Sequence, residues 1–118
     1  MEKQIKYKKC KFRRMSYYKK VAERAELWFQ ENNDNTHMYT TSERVKVQEY
    51  LRQRYKMYYT SSSMRTIRGD KIGKQGSWSV RVDYYDYSDK KLYNMFIMTY
   101  SPVIVDSSWF FPRRKRQG

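Results

Sequence analysis

"SWSVRVDYYDY", residues 77–87, alternates apolar and polar side chains. Trp78, Val80, Val82 and Tyr84 fall on one side, and Ser79, Arg81, Asp83 and Tyr85 on the other. A period of two with one apolar face is the pattern of a half-buried antiparallel strand. The polar turn "SDKK", 88–91, follows it. "LYNMFIMTY", 92–100, is apolar on both faces and reads as a central return strand. After Pro102, "VIVD" offers a last short strand. "SSWFFP" then presents three aromatic groups that tuck onto the core or form a contact patch.

Upstream of the strand lies "SSSMRTIRGDKIGKQG", 61–76, with three of the four glycines and four bases against one acid. Gly lets backbone amides approach an anion, Ser and Thr hydroxyls donate, and Arg and Lys supply charge. The stretch reads as a flexible loop that holds phosphates. "SMRTIRG" within it is compatible with a short helix stopped by Gly69, and a helix there with the following hairpin as a wing suggests a duplex reader. The Gly-x4-Gly-Lys-Ser/Thr pattern of nucleotide hydrolases is absent.

Two helices precede the loop. Tyr18, Val21, Ala22, Ala25, Trp28 and Phe29 recur at the spacing of one helical face over 17–31, with Ser16 placed to cap it. A second helix starts near "TTSE", where Thr40 and Glu43 have capping-box spacing. Val47, Tyr50, Leu51, Tyr55 and Tyr58 form its apolar face, and Gln48, Arg52 and Lys56 a polar stripe four residues apart. At the N-terminus, residues 3–12 alternate in part and read as a short strand with lysines outward. The expected architecture is one α+β domain over 1–112. It has two helices on one face of a three- or four-stranded antiparallel sheet, a basic N-terminal arm and a basic tail over 113–118. The expected core is Val21, Ala25, Trp28, Phe29, Val47, Leu51, Tyr55, Trp78, Val80, Val82, Phe96 and Met98, with tyrosines packing their rings and leaving hydroxyls at the margin.

The 118 residues carry a net charge of +14, from 26 Lys plus Arg against 12 Asp plus Glu. Such self-repulsion calls for an anionic partner, with nucleic acid first, an anionic membrane surface second and an acidic protein third. The charge comes in blocks: residues 1–20, 43–82 and the tail are basic, and 21–42 and 83–112 are mildly acidic. A face or groove for a polyanion has that form. No apolar run approaches the ~20 residues of a membrane span, and the basic start lacks the apolar stretch of a signal peptide. One cysteine, Cys10, excludes an internal disulfide. The expectation is an intracellular protein that does not engage a membrane.

Catalytic and metal signatures are sparse. His37 is the single histidine, which excludes paired-His metal sites and the two-histidine motif of rolling-circle nickases. Asp83 and Asp89 suit one strand face, but Asp86 points oppositely, against a two-metal centre. Cys10 is flanked by lysines, which lower a thiol pKa. Arg68-Gly69-Asp70 is too short a match to carry the integrin reading. The reading therefore assigns no catalytic residue, no metal and no cofactor.

The layout of a short strand, two helices, a basic segment and an antiparallel sheet resembles that of RelE/ParE-type toxins. "GDKIGKQGSWSVRVDYYDYSDKKLYNMFIM", 69–98, is similar to the glycine, aromatic-x-Val-Arg-Val and return-strand pattern of that group. The resemblance implies a metal-independent ribonuclease with Arg65, Lys71, Lys74 and Arg81 as its basic candidates. "MTYSPVIVDSSWFFP" lacks the His/Arg-then-Tyr arrangement of the family's terminal strand.

The leading expectation is a small DNA- or RNA-binding protein of the kind viruses and mobile elements encode. Arg65, Arg68, Lys71 and Lys74 hold phosphates, Arg52 and Lys56 extend the track, and Arg81 acts from a rigid strand. Arg113, Arg114, Lys115 and Arg116 form an electrostatic tether. Bases stacked on Tyr85, Tyr87 or Tyr93 imply single strands. The alternatives are the toxin-type ribonuclease and an inhibitor docking on an acidic protein surface. A homodimer through Trp109–Phe111 is compatible with all three.

Overall fold

The computed structural model describes residues 6–32 and 42–111. Strand β1 (Lys8–Arg13) runs directly into helix α1 (Arg14–Asn32). Helix α2 (Glu43–Tyr55), strands β2 (Met57–Arg68) and β3 (Ser77–Tyr87) and helix α3 (Lys90–Tyr100) follow. The fold is α+β, with one three-stranded antiparallel sheet in the order β1-β3-β2.

Residues 90–100 are a helix where a return strand was expected. Asp89 caps it, accepting from the Leu92 amide at 3.0 Å. Tyr93, Phe96 and Tyr100 are buried at helical spacing, and Ser101 ends the helix in a left-handed conformation just before Pro102. The apolar residues on the other face stay in solvent: Met95 is 53% and Met98 82% exposed. Three helices therefore share one side of the sheet, and Met98 is not a core residue.

The stretch 61–76 is also ordered differently from its expected form. Residues 61–68 are the second half of β2, which excludes the short third helix and the wing arrangement built on it. Gly69–Ile72 is a tight 3-10 turn. The Gly69 amide donates to the Gly76 carbonyl, and the Lys74 amide to the Gly69 carbonyl, both at 2.7 Å. The glycines serve this geometry. A Cβ on Gly69 would sit 2.8 Å from both the Gly76 and Lys74 carbonyl oxygens, and Gly73 and Gly76 have positive φ. Gly69→Ala is expected to destabilise the protein by about 1–3 kcal/mol, the cost of forcing backbone apart in a packed site. Urea unfolding measures it, and a loss within 0.5 kcal/mol, the scatter of ordinary surface changes, counts against the tight turn.

A β-bulge sets the phase of β2. Tyr59 pairs with Tyr85 and Ser61 with Tyr84, so Thr60 is the extra residue, its hydroxyl donating to the Tyr84 carbonyl at 3.0 Å. Before it, Met57 and Tyr59 point to the helical side with Cys10, Phe12, Tyr85 and Tyr87. After it, the odd residues change sides, and Ile67 joins Val80 and Val82 on the opposite side. That second, smaller core is closed by residues 101–111, a strap with no strand of its own. The Arg13 amide donates to the Val103 carbonyl at 3.0 Å, and the Val105 amide to the Lys11 carbonyl at 2.9 Å. The strap then crosses the sheet, burying Val105, and Phe110 forms a bridge with Ile67 of β2. Trp109 and Phe110 thus tuck onto the sheet while Phe111 stays 44% exposed.

The main core lies between the sheet and the three helices. It contains Phe12, Tyr17, Val21, Val47, Leu51, Met57, Tyr85 and Phe96 among others. Val21, Ala25, Val47, Leu51, Tyr55, Val80, Val82 and Phe96 are buried as expected, Trp28 and Phe29 are half-buried, and Trp78 is 45% exposed. Helices α1 and α2 run in the same sense: Lys46 pairs with Glu26 at 2.7 Å, and further along Tyr50 packs edge-on against Trp28. The α2 cap is Ser42, accepting from the Val45 amide; Thr40 lies outside the described residues. Ser16 is not a cap: its hydroxyl donates to the Arg13 carbonyl and accepts from the Val103 amide, joining α1 to the strap.

Tyrosine carries much of this core, with Tyr17, Tyr50, Tyr55, Tyr85, Tyr87, Tyr93 and Tyr100 all buried. Burial pushes the Tyr17, Tyr55, Tyr85 and Tyr100 phenols up, and Tyr93 to about 12. Cys10 is likewise pushed up to about 12 by burial and then by Asp86, the reverse of the lowering its lysine neighbours suggested. In each case the folded state holds the neutral form more tightly than the unfolded chain does. Their stabilisation is complete below the unfolded pKa values, about 8.5 for the thiol and 10 for the phenols, and is lost as pH rises through the folded values. Unfolding followed by circular dichroism is expected between about pH 10 and 12, with buried tyrosinate appearing in the same step. Ionisation of all the tyrosines near pH 10 in a still-folded protein would contradict this.

Candidate functional site

Strand β1 pairs with β3 only between Lys8↔Tyr87 and Arg13↔Val82, whereas β2 pairs with β3 as far as Arg68↔Ser77. Residues 64–68 and 77–81 therefore project beyond β1 as a two-stranded ribbon. On the strap side the ribbon is covered at Ile67 and Val80. Its helical side is bare: Met64, Thr66, Arg68, Ser77, Ser79 and Arg81 are all exposed. Lys71 and Lys74 are exposed at its tip. None of Arg65, Arg68, Lys71, Lys74 and Arg81 makes an ion pair with a described carboxylate, and Lys71 lies within the field of Asp106.

The root of the ribbon is held by a buried charge. Asp83 is fully buried and accepts from the Arg14 Nε at 3.0 Å to each oxygen, from a second Arg14 nitrogen at 2.9 Å, from Ser62 at 2.8 Å and from the Tyr17 hydroxyl. Tyr17 in turn meets the Tyr85 hydroxyl at 2.9 Å. Burial opposes the Arg14 charge, and the hydrogen bonds and field of Asp83 more than restore it. One carboxylate thus joins α1, β2 and β3 two residues from Arg81 on the same strand. The other aspartates do not converge on it. Asp86 points to the opposite side, and Asp89 caps α3 rather than sharing a strand face with Asp83.

The candidate cations separate into groups. Arg68 and Arg81 lie along the bare side of the ribbon, whereas Lys71 and Lys74 at its tip lean to the strap side, Lys71 toward Asp106 of the strap and Lys74 toward Trp78, the partner of Ile67. The Lys74 ammonium is 5.5 Å from the centre of the Trp78 ring. Arg65 points to the strap side, its guanidinium 3.9 Å from the centre of the Phe110 ring and 3.5 Å from the Tyr84 hydroxyl. Lys11 of β1 approaches the same Phe110 ring at 5.5 Å and donates to Ser107. Arg52 and Lys56 lie at the other end of β2. Eleven residue steps separate Met57 from Arg68, roughly 36 Å at about 3.3 Å per step. Arg52 pairs with Glu49 one turn earlier, and Lys56 terminates α2 at φ 54°. Arg113, Arg114, Lys115, Arg116 and His37 lie outside the described residues.

Tyr85, Tyr87 and Tyr93 cannot stack on bases: all three are buried, and Tyr87 and Tyr93 stack on each other at 3.9 Å. The half-buried Tyr58 and Tyr84 lie on the strap side of the sheet instead. Among the described residues no group of His, Cys, Asp or Glu is arranged to hold a metal ion, and no helix is long and apolar enough to cross a membrane. No protein-family model, curated protein or solved structure matches the chain. Of the RelE/ParE-type expectation, the α+β layout of helices on a three-stranded antiparallel sheet stands, and no family is assigned. The return strand of its pattern is helix α3.

Proposed function

We propose that this protein binds duplex DNA, with the β2–β3 ribbon entering the major groove. The observation that carries the reading is the bare side of the ribbon, where Arg68 and Arg81 stand among Thr66, Ser77 and Ser79 with Lys71 and Lys74 at the tip. A two-stranded ribbon fits the major groove of B-DNA, where arginine reads guanine edges and hydroxyls meet bases or phosphates. The deep, narrow major groove of an RNA duplex does not admit it. Asp83 and its partners keep the ribbon's root rigid, so its side chains are positioned before contact.

The toxin-type ribonuclease is a weaker reading of the same residues. Arg65 and Arg81 point to opposite sides of the sheet, so that set does not converge on one scissile phosphate. The test is a salt titration of binding to matched DNA and RNA, single- and double-stranded. Duplex DNA is expected to bind tightest, with log affinity falling by about 0.9 per log salt for each phosphate neutralised. Equal affinity for RNA duplex, or a slope near zero, overturns the proposal. Strand cleavage in EDTA that disappears in Arg81→Ala would favour the ribonuclease.

A further inference from the structure

The strap covers only part of the sheet side away from the helices. Two aromatic residues on that side are exposed, Tyr7 at 54% and Trp78 at 45%. They stand near opposite ends of β3. Tyr7 packs edge-to-face with Tyr58, the partner of Asp86, their ring centres 5.8 Å apart. Trp78 lies eight residue steps from Asp86 along the strand, roughly 26 Å at about 3.3 Å per step. Its indole is held in place: Nε1 donates to the Gln75 carbonyl at 2.8 Å, and the Lys74 ammonium stands beside the ring. Between the two ends, Lys11 of β1 and Arg65 of β2 converge on one ring, that of Phe110. The Ser107 hydroxyl meets Lys11, and the Tyr84 hydroxyl meets Arg65. Neither cation pairs with a described carboxylate. The side carries Lys9, Lys11, Arg65, Lys71 and Lys74 against Asp86 and Asp106.

We infer that the strap side of the sheet binds single-stranded nucleic acid, with one base on Trp78, another on Tyr7 and the backbone between them on Lys11 and Arg65. A base inside a duplex has both faces covered by its neighbours, so only an unpaired base offers a face to an exposed ring. Exposed aromatic rings joined by a cationic path are what a sequence-tolerant single-strand site needs, since every base has a π-face and every linkage a charge. The distance between the two rings calls for several nucleotides, within the ~4–16 of known single-strand sites. Arg68 and Arg81 stand on the other side of the sheet, so the inference does not rest on duplex binding.

The strand has two sources, DNA or RNA. Fluorescence anisotropy of the full chain with unpaired DNA and RNA dodecamers distinguishes them, and an abasic DNA dodecamer supplies the same phosphates without bases. Tighter binding of one base-bearing strand identifies the source, and equal binding identifies a site indifferent to the sugar. Either is expected to bind about tenfold or more tighter than the abasic strand, the effect of stacking one or two bases. Trp78→Ala and Tyr7→Ala, both changes of exposed side chains, are each expected to weaken the base-bearing strands about tenfold. Their affinities for the abasic strand and for duplex DNA are expected to stay the same. Arg65→Ala is expected to make the single-strand salt slope shallower by about 0.7. The Arg68→Ala/Arg81→Ala variant is expected to leave single-strand binding intact whether or not it loses duplex binding. The inference falls if the abasic strand binds as tightly as both others, if both aromatic variants bind as the parent does, or if the Arg68→Ala/Arg81→Ala variant loses single-strand binding. An unchanged slope in Arg65→Ala overturns the path drawn between the two rings.

Discussion

Asp83→Ala is expected to destabilise the protein by about 3–5 kcal/mol, the cost of leaving a buried charge without its partner. The carboxylate has no exposure, and from β3 it accepts from two other elements, α1 and β2. Its removal strands the Arg14 guanidinium, whose side chain is only 26% exposed, together with the Tyr17 and Ser62 hydroxyls. Asp83→Asn keeps the shape and part of the hydrogen bonding, so a smaller loss is expected. The Arg14→Ala/Asp83→Ala double variant removes the orphaned charge and is expected to recover part of the loss, a coupling that a double-mutant cycle reads directly. Equilibrium urea unfolding of the parent, Asp83→Ala, Asp83→Asn, Arg14→Ala and the double variant measures all of this. A loss below about 1 kcal/mol in Asp83→Ala, with no coupling to Arg14, would show that the contact is no stronger than a surface pair.

The second large effect concerns binding. Changing Arg68, Lys71, Lys74 and Arg81 together to Ala removes the cations of the bare ribbon side and tip. If each neutralises one phosphate, the slope of log affinity against log salt becomes shallower by about 3.6, and affinity at 0.15 M salt falls about a thousandfold. All four side chains are exposed, so the unfolding midpoint is expected to change little. Arg65→Ala is the matched control. It also removes a cation from the ribbon, but one stacked on Phe110 on the other side. Its slope is expected to remain within about one unit of the parent's. An unchanged slope in the fourfold variant removes the ribbon from the interface, and equal slopes in Arg65→Ala and the fourfold variant remove the assignment to one side.

Much of this architecture was legible in the residues. The alternation of 77–87 identified β3, and the spacing of Val21, Ala25 and Trp28 and of Val47, Leu51 and Tyr55 identified α1 and α2. The misreadings have physical causes. Residues 92–100 are long enough for a strand or about two and a half helical turns, and apolar residues that end in solvent hid the period. The Tyr93, Phe96, Tyr100 spacing and the Asp89 cap carried the helix. Residues 61–68 lack a regular apolar alternation because one side of the ribbon is bare, and only Ile67 needs burial. The glycines that looked like flexibility serve a tight turn. The cationic composition of the candidate site was visible, but its division was not. One bulge residue, Thr60, decides on which side every later side chain of β2 lies, and nothing in its identity announces that.

The strap has a consequence beyond closing the second core. Both outer strands of a three-stranded sheet present unpaired amides and carbonyls that template further strands, the usual starting point of aggregation. Residues 101–111 occupy part of each margin, through Val103 and Val105 along β1 and through Phe110 against Ile67 of β2. The same eleven residues that bury Val105 therefore guard the sheet against edge-to-edge association. A chain ending at Tyr100 would leave both margins open along their whole length.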